Sequence, residues 1–221
     1  MSGYQFAFCG SQFHALASGG LWWPVHRVLI VSDLHLGKTE RLMRLGGPGL
    51  PPYEIRDTVL RLSQDIDKLN PAHVICLGDS FDDLAAMQAL DDDDHICLIR
   101  LQAGRHWSWI TGNHDAGPVE LGGDTRGSIR IDQVTFRHIA EQGIDGGEIS
   151  GHYHPKARIT LRGHTLSRPC FLVDDQRLVM PAYGTYTGGL FCGRPPLRDL
   201  MSDGAIAILT GKTAQPIPMP R

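Results

Sequence analysis

The sequence predicts an α/β (α+β) protein built from two packed β-sheets flanked by helices. Three observations carry this. Residues 4–31 are short runs rich in aromatic and β-branched residues. An alternation of strand-like and helical segments follows, and strand-like runs resume from residue 128. Strands at both ends of a βαβαβ middle require two sheets, with helices against their outer faces.

YQFAF, FHALA and RVLIV open the chain as strands, broken at Gly10, Gly19, Gly20 and Pro24. VLIV is apolar throughout, which suits a central strand covered on both faces. Residues 37–52 carry three prolines and a Gly pair and read as a loop. Over 53–69, Ile55, Val59, Leu62, Ile66 and Leu69 form one apolar stripe at helical spacing. Asn70–Pro71 ends that helix, because the residue before proline avoids the α region. HVICLGD is a second buried strand. Asp91–Asp94 reads as a helix N-terminus, where carboxylates meet the positive end of the dipole; Ile96, Ile99 and Ala103 follow at helical spacing. WSWIT is a third strand, and SIRI, VTFRH, GEISGH, ARITL, PCFLV, RLVM and AIAILT continue the β pattern. Residues 212–221, with three prolines, read as a tail. No repeat or linker interrupts the pattern, so residues 1–221 are expected to form a single domain.

Composition narrows function by exclusion. Lys plus Arg number 21 and Asp plus Glu 24, a net charge of −3 that excludes a histone-like coat for polyanions while allowing a local basic groove. The 42% hydrophobic content excludes wholesale disorder. No apolar run reaches the ~18 residues of a membrane span, and the N-terminal segment has no basic stretch followed by an apolar one. The expected compartment is the cytoplasm. The five cysteines are odd in number and form no CxxC pair, so neither a disulfide framework nor a zinc ribbon is expected; Cys76 and Cys97 sit in apolar runs and read as buried.

Chemistry concentrates in four polar motifs, each after a strand-like run: Asp33-Leu34-His35, Gly78-Asp79 with Asp82 beyond it, Gly112-Asn113-His114-Asp115, and Gly151-His152-Tyr153-His154. The loops after strand ends are where α/β proteins place ligands. Carboxylate, imidazole and amide donors without thiolate suit Mn, Fe or Zn better than Ca or Mg. Asp33 and His35 read as alternate residues of one extended segment, which share a face, so one ion can take both. The same reasoning covers His152 and His154, which could also serve two ions. The donors are too many for one ion, and two ions ~3.5–4 Å apart sharing a carboxylate fit better. GNH followed by an acid arises by chance in roughly one window in 10⁵.

These motifs, in this order, resemble the calcineurin-like metallophosphoesterase superfamily over residues 28–154. The resemblance implies a four-layer αββα sandwich of two mixed sheets with a dinuclear metal centre. It implies that Asp33, His35 and His154 bind one ion, that Asp79 bridges, and that Asn113, His138 and His152 complete the second. His114 would face the substrate phosphate, and Asp115 would orient the His114 ring. The expected chemistry is in-line attack on a phosphodiester by a hydroxide held between the ions.

Two further segments, DLHLGKTERLMRLGGPGLPPYE and RPCFLVDDQRLVMPAYGTYTGG, are similar to the bacterial ligase-associated DNA damage response endonucleases within that superfamily. That similarity implies a Mn²⁺-dependent single-stranded DNA endonuclease working with a DNA ligase and a helicase. The RHIAE segment departs from the His-Glu-Pro-like stretch expected around the lone His. Lys38, Arg41 and Arg44 are candidate contacts to a nucleic-acid backbone, as are Arg158, Arg162 and Arg168; Tyr183 and Tyr186 are candidates for base stacking. The same centre would equally serve a phosphomonoesterase, a cyclic-nucleotide phosphodiesterase or a dinucleoside polyphosphate hydrolase, and a non-catalytic scaffold is a further alternative.

Overall fold

In the computed structural model, residues 3–221 are described apart from 48, 49, 52, 116, 118, 120, 144 and 162. The first sheet has seven strands in chain order: β1 (Tyr4–Phe8), β2 (Ser11–Ala15), β3 (Leu21–Trp23), β4 (Val28–Val31), β5 (His73–Cys76), β6 (His106–Ile110) and β7 (Asp124–Arg126). Strands β1 to β4 are antiparallel neighbours, and β4 to β7 run parallel. The second sheet holds β8 (Ser128–Ile131), β9 (Val134–Arg137), β10 (Gly147–Ser150), β11 (Lys156–Leu161), β12 (His164–Val173), β13 (Arg177–Val179), β14 (Ile206–Leu209) and β15 (Gln215–Pro218). Its order is β15-β14-β12-β13-β10-β9-β8, with β11 added as a hairpin on the first half of β12.

Apolar burial fixes four layers. Phe13, Trp23, Ile30 and Ile75 of the first sheet meet Phe136, Ile149, Phe171 and Ile208 of the second. Leu29, Val31, Val74 and Trp107, on the other face of the first sheet, pack under α2 (Glu54–Leu69) and α4 (Asp92–Gln102), each preceded in the chain by a short helix, α1 (Lys38–Arg44) and α3 (Leu84–Gln88). The VLIV run is continuous because alternate residues serve these two interfaces. The far face of the second sheet is covered by α5 (Leu197–Leu200) and the chain around Met201 and Met219. That fourth layer is thin, a single turn of helix. Removing one aromatic from between the sheets, as in Phe171→Ala, costs about 3–5 kcal/mol.

The structure corrects four local expectations. Residues 37–52 are not all loop: Lys38–Arg44 form a helix, entered through Gly37 at φ 81°. The supposed tail, residues 212–221, contains β15, which pairs antiparallel with β14 and buries Met219; proline is tolerated there because β15 is an edge strand. In α4, Asp91 caps the backbone N–H of Asp94 as expected, but Leu98 and Leu101 form the buried face while Ile96 and Ile99 are exposed. Cys97, next to them, is exposed as well. Among the described residues no helix is long and apolar enough to cross a membrane.

Candidate metal centre

The four motifs and His138 meet at one rim of the sandwich, beyond the carboxyl ends of β4, β5, β6, β9 and β10. The loops after β4 and β5 are zipped together there by backbone bonds from Asp33 N to Gly78 O (3.2 Å), His35 N to Asp79 O (3.0 Å) and Leu36 N to Ser80 O (2.9 Å). Convergence is not achieved by extended D-x-H and H-x-H segments, as expected from strand geometry. Asp33, His35, Asp79, His152 and His154 all have left-handed backbones, with φ of 52°, 45°, 46°, 69° and 47°. Such conformations cost of order 1–3 kcal/mol each and persist only where the surroundings enforce them. Close packing explains the flanking glycines. A Cβ on Gly112 would lie 2.1 Å from Asp79 Oδ1, and one on Gly151 1.9 Å from Ser32 Oγ.

Two clusters of lone-pair donors result. In the first, His154 Nε2 lies 3.0 Å from Asp33 Oδ1 and 3.4 Å from His35 Nε2. His35 gives its Nδ1–H to buried Asp82 at 2.9 Å, so its Nε2 presents a lone pair. In the second, His138 gives its Nδ1–H to Leu77 O at 2.8 Å. Its Nε2 then faces Asn113 Oδ1 at 3.0 Å, Asp79 Oδ2 at 3.2 Å and His152 Nδ1 at 3.2 Å. A single proton can satisfy one of these contacts. A cation satisfies all of them, and mixed N and O donors fit a divalent transition metal. Asp33, His35 and His154 form one group able to hold an ion, and Asp79, His138 and His152 another; within each group the ligand atoms lie within 4.8 Å of one another.

The electrostatics agree with that fit. Burial opposes ionisation of Asp79, but the hydrogen bond and charge of His138 outweigh it and hold the carboxyl at about 2. Asp82 is likewise held at about 2 against burial, by His35 and Arg41. Asp33 stays below its ordinary range despite complete burial, chiefly through His154. His152 is pushed down by burial and by His138, which favours the neutral ring. His138 is pushed up: burial opposes the charge, and Asp79 and Asp33 prevail.

Two expected roles are corrected. Asp115 does not orient the His114 ring. Its buried carboxylate accepts the backbone N–H groups of Asp79, Ser80, Phe81 and Gly112 at 2.6–3.3 Å, so it shapes the loop that carries Asp79. The His114 ring is held by the Asp82 carbonyl, which accepts its Nδ1–H at 2.9 Å. Burial and the nearby Asp79 charge raise the Asp115 pKa against its backbone donors. Nor are Arg41 and Arg44 free backbone contacts. Arg41 pairs with Asp82 at 3.1 Å and Asp83 at 3.3 Å, and Arg44 with Glu40 and Asp83. Lys38 forms no ion pair among the described residues.

Asp82 was visible in the sequence, three residues after Asp79, but carried no assigned role; its spacing was the only signal. Of the second basic stretch, Arg158 stacks over Phe191 at 4.2 Å and Arg162 lies outside the described residues. Tyr183 is core, its hydroxyl donating to Asp65 at 2.9 Å.

Comparison with known proteins places this geometry. The model of a family described as calcineurin-like phosphoesterase matches residues 26–189. Among solved structures, the chain is similar to the Pseudomonas putida nuclease MPE, with a TM-score of 0.78 and 23% identity over 97% of this chain and 100% of that one. No curated protein matches.

Proposed function

Because the chain belongs to the calcineurin-like phosphoesterase family, and so is a hydrolase that works with divalent metal, we propose that its substrate is a nucleic-acid phosphodiester. In this reading it is a single-stranded DNA endonuclease of bacterial repair, using two Mn²⁺ ions and acting beside a DNA ligase and a helicase. The observation that carries the catalytic part is the pair of donor clusters, whose facing lone pairs have too few protons to share. The full-length likeness to a nuclease fold supports the choice of substrate, as does the resemblance of the SRPCF and PAYGTYTGG segments to the ligase-associated endonucleases.

Asp33, His35 and His154 would hold one ion, Asn113, His138 and His152 would hold the second, and Asp79 would serve both. When bound, such ions supply an activated water and offset charge on the phosphoryl oxygens. His114 does the work of a proton donor. Its Nδ1–H is committed to the Asp82 carbonyl, so a proton for a phosphoryl oxygen or the leaving oxygen is carried on Nε2 of the doubly protonated ring. Asp115 acts one step away, by setting the Asp79 loop.

The test is hydrolysis of bis-p-nitrophenyl phosphate against p-nitrophenyl phosphate after EDTA treatment and Mn²⁺ addition, followed by a 5′-labelled single-stranded oligonucleotide. Diesterase activity restored by Mn²⁺ and internal cleavage of the oligonucleotide are expected. Preference for the monoester, or an intact oligonucleotide, overturns the proposed substrate.

A further inference from the structure

Resting on the nucleic-acid reading above, we infer that Tyr186 and Arg168 form a nucleotide subsite beside the metal centre: a base stacks on the tyrosine ring and its phosphate meets the guanidinium. Tyr186 has a left-handed backbone, φ 61°, which is rare for a bulky residue. Among the described residues no side-chain hydrogen bond or aromatic contact repays that strain. The residue is 40% exposed. Among the described residues its ring pairs with no other aromatic and its hydroxyl makes no hydrogen bond.

The loop that carries it is nevertheless firmly held. At its start, Tyr183 N bonds Ser32 O at 2.8 Å and Gly184 N bonds Asp33 O at 3.1 Å. Thr185 is tied to α2 through Thr58 at 3.1 Å and Asp57 at 2.5 Å. At its end, Leu190 N bonds Tyr153 O at 3.2 Å, between the two histidines of the last motif. Tyr186 thus projects from a rigid strap fastened at both ends to segments that bear proposed metal ligands. An aromatic ring displayed without partners on a rigid support is a stacking platform, and stacking accepts every base because each has a π-face.

The groove beside it has a volume of about 540 Å³ and is lined by Arg61, Gln64, Arg168, Tyr186 and Thr187. Arg168 lies on the first half of β12, which runs antiparallel to β13 and so begins at the rim where the ligand loops end. Arg168 is exposed and forms no ion pair or side-chain hydrogen bond among the described residues. Arg61 is committed to the Tyr183 carbonyl at 2.6 Å and lies over the Tyr183 ring. Arg41 and Arg44 are neutralised by acids. The unpaired cation and the unpaired ring therefore share one groove, away from the Lys38–Arg44 segment whose basic residues sequence alone put forward.

The experiment compares wild type with Tyr186→Ala, Tyr186→Phe and Arg168→Ala. The ratio of kcat/KM on a single-stranded oligonucleotide to kcat/KM on bis-p-nitrophenyl phosphate is expected to fall about tenfold in Y186A, through KM, and to be restored in Y186F, since stacking needs the ring and not the hydroxyl. An abasic residue scanned through the oligonucleotide should reproduce the loss in wild type at one position and add nothing in Y186A. Arg168→Ala should flatten the salt dependence of binding, measured by fluorescence anisotropy. Tyr186→Gly should melt no lower than wild type, because it relieves the left-handed strain; a structural tyrosine would melt lower. Oligonucleotide cleavage with an unchanged ratio in Y186A overturns this subsite and leaves the nuclease reading standing. Hydrolysis of the small diester with no cleavage of any oligonucleotide by wild type overturns both.

Discussion

The carboxylate of Asp82 accepts the Nδ1–H of His35 at 2.9 Å, and both side chains are buried. The bond fixes the ring's tautomer and aims Nε2 at Asp33 and His154. Partners of this kind are worth about 10–100-fold in metal affinity. Asp82→Ala is expected to weaken metal binding by that factor, read by titrating Mn²⁺ into the stripped protein. Asp82→Asn keeps an acceptor oxygen and should lose less. Equal affinity in wild type and D82A would show that His35 is oriented by other contacts.

His114 and the donor clusters separate by experiment. His114→Ala removes a proton donor and no proposed ligand. Turnover on bis-p-nitrophenyl phosphate should fall by about 10²–10⁴-fold, with both equivalents of metal retained on elemental analysis. Loss of metal from H114A would make His114 a ligand.

At the far end of β5, away from the metal centre, His73 donates to or accepts from Ser108 at 2.8 Å and stacks against His106. Burial, then the charge of His106, depress its pKa from 6.5 to about 4, against the pull of Asp124. Between those two values the unfolded chain binds a proton that the native state refuses. Stability therefore rises with pH through this window, is fully recovered above about 6.5, and is lost as pH falls toward 4. His73→Gln keeps a polar partner for Ser108 and cannot titrate. Its melting temperature should decline less steeply than wild type between pH 6.5 and 4; parallel curves would contradict the shift.

Much of the centre could be read from residue order. Asp33, Asp79, Asn113 and His152 each follow an apolar run, and a strand end has few places to put a polar side chain except the rim. What the residues do to one another was less legible. Asp115 sits beside His114 in sequence, yet a carboxylate can reach across to any N–H in range, and it holds the β5 loop instead. The left-handed backbones at the ligand positions carry no sequence mark, since Asp and His are not glycine. The Lys38–Arg44 helix was hidden by the prolines that follow it, and β15 by its own prolines, which an edge strand accommodates because half its N–H groups need no partner.

The proposed ligands also divide by sheet. Asp33, His35, Asp79 and Asn113 follow strands of the first, whereas His138, His152 and His154 follow strands of the second. A cation shared among them would be a removable latch between two leaves whose interior contact is mainly hydrocarbon. Linkage makes the latch reciprocal: whatever the ion contributes to holding the leaves at one spacing, the spacing contributes to holding the ion. Substitutions at Ile75, Phe136 or Phe171, buried between the leaves, would thereby also adjust metal affinity.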